Sequence, residues 1–258
     1  MELLRPNRFF LLPSLLTCTS LFCGFYSMVA AIKGGDYFYS AAVAILIAGI
    51  FDGLDGRVAR LTGSTSGFGM QLDSLCDMVS FGVAPGLLAY LWALKPYGRY
   101  GWLAAFLYVA ATALRLARFN VIAETPPEQR KIKHHDFVGL PCPAAAGAVA
   151  TTVMFCRFFG ATGTVKHLSI LLLVYLLSYL MISNHRYLSF KKVKIAKEKR
   201  FQATVGAILF IAVIATEPPV TLFVLALCYA ASGLVMELYG MAKRKNQPPP
   251  SSDSGITA

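Results

Sequence analysis

Charge is what this 258-residue chain has least of: 14% of its residues are Asp, Glu, Lys or Arg, where a soluble domain carries about 25%. Acid is scarcer than base, with 13 Asp and Glu against 24 Lys and Arg. Hydrophobic residues make up 56% of the chain and the mean hydropathy is +0.58. The polar surface that would cover a water-facing globule is therefore missing, which excludes an ordinary soluble enzyme. Paired cysteines are missing as well. Cys18, Cys23, Cys76, Cys142, Cys156 and Cys228 are scattered, mostly in apolar runs, with no C-x-x-C. That excludes a disulfide or zinc framework and leaves them as small core residues. No nucleic-acid-binding module and no internal repeat are visible, so the +11 net charge needs another explanation.

What is present is a series of eight runs free of Asp, Glu, Lys and Arg, at 9–32, 37–51, 78–94, 100–114, 137–156, 167–184, 201–216 and 218–236, between 15 and 24 residues long. A spanning helix needs about 20 mostly apolar residues, so the shorter runs suffice only if their helices continue through charged residues at one end. The first run is too long for a secretory h-region and lacks a small-x-small cleavage site, so it counts as a helix. The expected fold is an all-α polytopic membrane protein with about eight transmembrane helices.

Eight spans place both termini on one side. Only Lys33, Lys95, Arg99, Arg157 and Lys166 then fall outside, while 19 basic residues fall inside, seven of them between Arg186 and Arg200. This asymmetry predicts cytoplasmic termini in the cell's inner (plasma) membrane, with the basic excess serving orientation and attraction to anionic membrane lipids. Nucleic acid is not an expected partner. The longer cytoplasmic connections are 52–77, 115–136 and 185–200, and the Pro- and Ser-rich end has the composition of a disordered tail. The segments are 1–8, a cytoplasmic N-terminal stretch; 9–200, the core with its loops; 201–241, two further helices; and 242–258, the tail.

The ends of the runs hold the chemistry. Asp52, Asp55, Asp73 and Asp77 are four of the 13 acidic residues, each abutting or close to an apolar run, and carboxylates at a membrane edge point to function. At about 100° per residue, Asp55, Gly56 and Ala59 all fall within about 60° of Asp52 on a continued second helix. On the third helix Asp77, Ser80 and Ala84 fall within about 40° of Asp73. Two consecutive antiparallel helices would bring the four carboxylates together. They would repel one another strongly unless divalent cations lie between them, and all-oxygen ligation favours Mg²⁺ or Mn²⁺ over zinc. Such cations assist displacement at phosphorus, the glycines allow close approach of a bulky polar group, and Arg60 could hold a phosphate. Phosphoryl or phosphatidyl transfer is the chemistry suggested. Gly63–Gly69, GSTSGFG, lacks the Lys-Ser/Thr of a phosphate loop, and the His134, His135, Asp136 run reads as solvated loop.

The pattern D-x-x-D-G-x-x-A-R, spacer, G-x-x-x-D-x-x-x-D stands complete as Asp52, Asp55, Gly56, Ala59, Arg60, Gly69, Asp73 and Asp77. It resembles the signature of the CDP-alcohol phosphatidyltransferases. The resemblance implies a six-helix core in a homodimer, with 201–241 as accessory helices and the site open to the cytoplasmic leaflet. Asp52, Asp55 and Asp73 would bind the metals, with Asp77 completing the site and serving as general base. Gly56, Ala59, Arg60 and Gly69 would hold the CDP moiety. The implied reaction is attack of an alcohol on the lipid-side phosphate of a CDP-lipid, releasing CMP.

DSLCDMVSFGVAPG (73–86), ALRLARFN (113–120), FVGLPCPAAAG (137–147) and SNHRYLSFKK (183–192) resemble the phosphatidylserine synthase branch of that family, implying CDP-diacylglycerol and L-serine as substrates in phospholipid biosynthesis. Serine needs a cationic fork and hydrogen-bonding partners, for which Arg115, Arg118, Asn120 and Ser80 are the candidates. The alternatives are another acceptor, chiefly glycerol 3-phosphate, and, in a different class, a cation transporter. The position of the carboxylates at the ends of their runs and the absence of an inverted repeat speak against transport.

Overall fold

A computed structural model describes residues 11–63, 66–124, 139–160, 168–183, 205, 212 and 215–245. Among them every regular element is helical, and seven helices follow one another: α1 (Leu11–Lys33), α2 (Tyr37–Leu61), α3 (Gly67–Tyr97), α4 (Arg99–Glu124), α5 (Cys142–Phe158), α6 (Leu168–Ile182) and α7 (Pro218–Lys245). The first four are long and apolar enough to cross a membrane, and α5, α6 and 218–233 of α7 are shorter apolar helices. The chain is an integral membrane protein. Eight spans are not established, because most of the seventh run, 201–216, lies outside the described residues. So do the His134–Asp136 cluster, the basic run from Lys191 to Arg200, and the two ends at 1–8 and 246–258.

The expectation that helices continue through charged residues is met. α2 has 25 residues, about 37 Å at 1.5 Å per residue, against a hydrocarbon core of about 30 Å. Its last turns, from Asp52 to Leu61, therefore reach one membrane face. α3 likewise begins at Gly67, ten residues before Asp77, and α4 runs past Arg115 and Arg118.

Small residues set how closely the first three helices pack. α1 and α2 form a hairpin turned by Gly34 and Gly35, whose φ values of 72° and 57° suit glycine. Arg157 of α5 clasps this turn by pairing with Asp36. Ala41, Ala42, Ala44 and Ala48 of α2 and Ser20, Gly24, Ser27, Ala30 and Ala31 of α1 are buried. Without water to drive apolar faces together, close backbone approach and interhelical hydrogen bonds do the work. Ser20 donates to the Ala48 carbonyl at 3.1 Å and Ser80 of α3 donates to the Ser20 carbonyl at 3.1 Å. A Cβ on Gly24 would sit 2.6 Å from the Ser80 hydroxyl, so α1 is locked against both neighbours.

α3 is not uniformly wound. Residues Met78–Val83 form a π-helical turn directly after Asp77, and Tyr90–Leu94 form a second. Pro85 cannot donate to the Phe81 carbonyl four residues back. The fully buried Tyr108 hydroxyl of α4 donates to that carbonyl at 3.2 Å instead. Gly82 and Gly86 let α4 approach here: a Cβ on them would lie only 3.1 Å from Thr112 and 3.0 Å from Val109. α4 also packs on α6, and α5 packs between α2 and α7, where Phe155 stacks on Phe223 at 4.4 Å.

Candidate active site

Asp52 and Asp55 on the last turns of α2 meet Asp73 on the first turns of α3. One carboxylate oxygen from each lies within 4.8 Å of the other two. Asp55 is buried and the other two are partly buried. At such separations two full charges repel by about 3 to 4 kcal/mol at an effective dielectric constant of about 20. Among the described residues no Lys or Arg pairs with any of the four aspartates. Asp73 Oδ1 is buried without a hydrogen-bond partner, an arrangement that is costly unless something positive occupies the gap. An all-oxygen, acid-rich donor set with an unsatisfied buried oxygen fits a hard divalent cation. Cys76 is buried beside the site but outside the three-carboxylate group.

Asp77 stands apart from that group. One helical turn deeper along α3, it lies within electrostatic reach of Asp52 and of Cys142 at the start of α5. Cys142 in turn lies within electrostatic reach of Arg115.

A cleft of about 490 Å³ opens beside the carboxylates. Asp55, Gly56, Ala59 and Arg60 of α2 form one wall, and Ser66, Gly67, Gly69 and Asp73 form another. A Cβ at Gly56 would meet only the Arg60 guanidinium, at 3.7 Å, so the small residue preserves free space. Ser66 caps α3, its extended backbone (φ −134°, ψ 158°) placing the hydroxyl to accept from the Gly69 N–H at 2.9 Å. The first turn of α3 therefore faces the cleft with its positive dipole end, which favours a phosphate there. Six of the eight motif residues line this one cavity, and Asp52 and Asp77 stand behind it.

The residues expected to read the acceptor are placed differently. Ser80 is fully buried in the α1–α3 seam with its hydroxyl given to Ser20. The π-helical turn after Asp77 widens the winding, so the α-helical phase that put Ser80 beside Asp73 does not apply. Asn120 accepts from the Ser74 hydroxyl at 2.9 Å and donates to Gln71 at 3.3 Å, tying α4 to α3. Arg115, partly buried, reaches the Met181 carbonyl at 3.4 Å over Gly139 (φ +84°), and Arg118 is exposed one turn on. None of the four lines the cleft.

Sequence reasoning missed the third wall. Pro13, Ser14 and Thr17 of α1 also line the cleft, and Thr17 donates to Asp55 Oδ2 at 2.8 Å. The available signal was the series Thr17, Ser20, Gly24, Ser27, small residues at helical spacing within an otherwise apolar run.

Residues 10–175 match the sequence profile of the CDP-alcohol phosphatidyltransferase family. The chain is 37% identical over 239 residues to a CDP-diacylglycerol–serine O-phosphatidyltransferase of Helicobacter pylori, covering 92% of this chain and 95% of the relative. It is 36% identical over 185 residues to the archaetidylserine synthase of Methanothermobacter thermautotrophicus, covering 71% and 72%. A CDP-diacylglycerol–serine O-phosphatidyltransferase of Mycobacterium leprae is 40% identical over 152 residues, 58% of this chain and 49% of the relative.

Proposed function

The chain belongs to the CDP-alcohol phosphatidyltransferase family, and from that premise we propose that it transfers the phosphatidyl group of CDP-diacylglycerol to the hydroxyl of L-serine, giving phosphatidylserine and CMP. The observation that carries the acceptor is similarity along 92% of the chain to a relative named for that reaction. The convergence of the motif residues on one cleft supports the chemistry. The cation-transport alternative finds no support in these similarities. The basic asymmetry of the sequence supports placing the site and both termini on the cytoplasmic face of the plasma membrane. The working form is a homodimer with 9–200 as catalytic core, 201–241 as accessory helices, and 1–8 and 242–258 as end segments.

Asp52, Asp55 and Asp73 hold Mg²⁺ or Mn²⁺, with Asp77 completing the site behind them. A cation held there would offset the negative charge that builds on the pyrophosphate oxygens as the bond between the bridging oxygen and the lipid-side phosphorus breaks and CMP leaves. Gly56, Ala59 and Gly69 leave room for the CDP moiety against the backbone, and Arg60 gives a phosphate a charge-assisted hydrogen-bonding partner. Asp77 accepts the proton of the serine hydroxyl as its oxygen attacks the lipid-side phosphorus. The bond from that phosphorus to the bridging oxygen breaks, and CMP leaves with that oxygen. Arg115, Arg118 and Asn120 supply the serine pocket on the Asp77 side, an assignment supported by the Asp77–Cys142–Arg115 proximity. Ser80 acts there only indirectly, by holding α3 in place.

The test is CMP release by the purified, detergent-solubilised protein with CDP-diacylglycerol and Mn²⁺ or Mg²⁺. Release should depend on both metal and L-serine and yield an aminophospholipid; release with glycerol 3-phosphate alone would overturn the acceptor. Arg60→Ala should raise the CDP-diacylglycerol requirement about tenfold or more, from loss of a charged hydrogen bond, and leave the serine requirement near its starting value. Equal effects on both would contradict the CDP assignment. Arg118→Ala should raise the half-saturating serine concentration by about tenfold, and an unchanged serine titration would leave Arg118 with a topological role alone.

A further inference from the structure

We infer that Thr17 of α1 is the positioning residue for Asp55, which makes a helix carrying none of the family motif a working wall of the site. Thr17 Oγ1 donates to Asp55 Oδ2 at 2.8 Å across 38 residues of sequence. Both residues are buried at the cleft wall, at 6% and 5% exposure, so little water reaches the bond. No described basic residue neutralises Asp55, which leaves the threonine hydroxyl as its side-chain donor from outside α2.

The hydroxyl has a second acceptor in reach, the Pro13 carbonyl at 3.0 Å. It has one proton, and a bond to an ionised oxygen is roughly twice as strong as one to a neutral carbonyl, so the proton belongs to Asp55. The carbonyl limits where the hydroxyl can go when that bond opens. Packing fixes the helix that carries it: Ser20, one turn on, bonds to α2 and receives the bond from Ser80 of α3, and Gly24 sits against Ser80. The donor is thus held by the same contacts that set the spacing of α2 and α3. A carboxylate fixed through one oxygen cannot rotate freely, and its orientation toward Asp52 and Asp73 is set before any cation binds.

Thr17→Val keeps the branched shape and removes the donor, while Thr17→Ser keeps the donor. Mn²⁺ affinity of the purified full-length protein, read from the electron paramagnetic resonance signal of free Mn²⁺ without CDP-lipid, separates positioning from packing. Thr17→Val should weaken Mn²⁺ binding about tenfold, as loss of an outer-sphere partner does, and Thr17→Ser should stay within about twofold of wild type. The Mn²⁺ concentration needed for half-maximal CMP release should move in parallel. Unchanged Mn²⁺ affinity in Thr17→Val, or a Thr17→Ser protein as weak as Thr17→Val, overturns the assignment. The inference rests on the proposed metal-dependent site, and the two fail differently. A wild-type protein that binds Mn²⁺ with the Thr17 dependence above but releases no CMP with L-serine sinks the transferase reading and upholds the role of Thr17. A wild-type protein that binds no Mn²⁺ overturns both.

Discussion

Asp73→Asn is expected to lose CMP release by more than about a hundredfold and to lose divalent-cation binding with it. Losing an outer partner of a metal ligand costs 10- to 100-fold, and this substitution changes a ligand itself. Asp73 supplies one oxygen to the group shared with Asp52 and Asp55, and its Oδ1 is buried without a partner. Asparagine removes the negative charge and replaces one oxygen with a hydrogen-bond donor, which cannot ligate a cation. The fold should survive. Removing one of three mutually repelling charges relieves the unliganded site, so the thermal midpoint without metal should be unchanged or higher. The stabilisation that Mn²⁺ gives the wild type through binding the folded state should disappear. Near-wild-type transfer by Asp73→Asn would sink the three-carboxylate assignment. A fall in thermal midpoint without metal would instead favour a purely structural role for the cluster.

The part of this site that was legible in the sequence lies within single helices. Asp52, Asp55, Gly56, Ala59 and Arg60 share one face because α2 is regularly wound from Tyr37 to Leu61, and regular winding makes residue phase computable from spacing alone. Asp73 and Asp77 were legible for the same reason, since α-helical geometry holds from Gly67 to Asp77. Ser80 lies three residues further on, where the π-helical turn begins to alter the phase, and spacing misplaces it. The involvement of α1 was not legible by this route. Thr17 is no closer in sequence to Asp55 than many other hydroxyls, and only the packing of Ser20 and Gly24 against α2 and α3 decides which face of α1 meets the carboxylates. Side-chain chemistry alone marks Arg115 and Asn120 as acceptor candidates, and both make tertiary contacts, with Met181 and with Ser74 and Gln71, that no local pattern encodes.

Asp77→Asn is expected to separate proton transfer from metal binding. The three-carboxylate group closes without Asp77, which lies within electrostatic reach of Asp52 and of Cys142. If its main task is to take the proton of the acceptor hydroxyl, turnover should fall by the 10²- to 10⁴-fold typical of a lost general base. Mn²⁺ affinity should change by no more than a few fold, because ligand number at the three-carboxylate group is preserved. Serine and CDP-diacylglycerol requirements should also change little, since asparagine has nearly the same shape and stays beside Asp52. An acceptor with a more acidic hydroxyl should recover part of the loss, because the attacking oxygen then depends less on a base to remove its proton. The pattern that would overturn this division of labour is parallel loss: if Mn²⁺ affinity falls as steeply as turnover and the acidic acceptor recovers nothing, Asp77 is a fourth metal ligand and the proton must leave by another group.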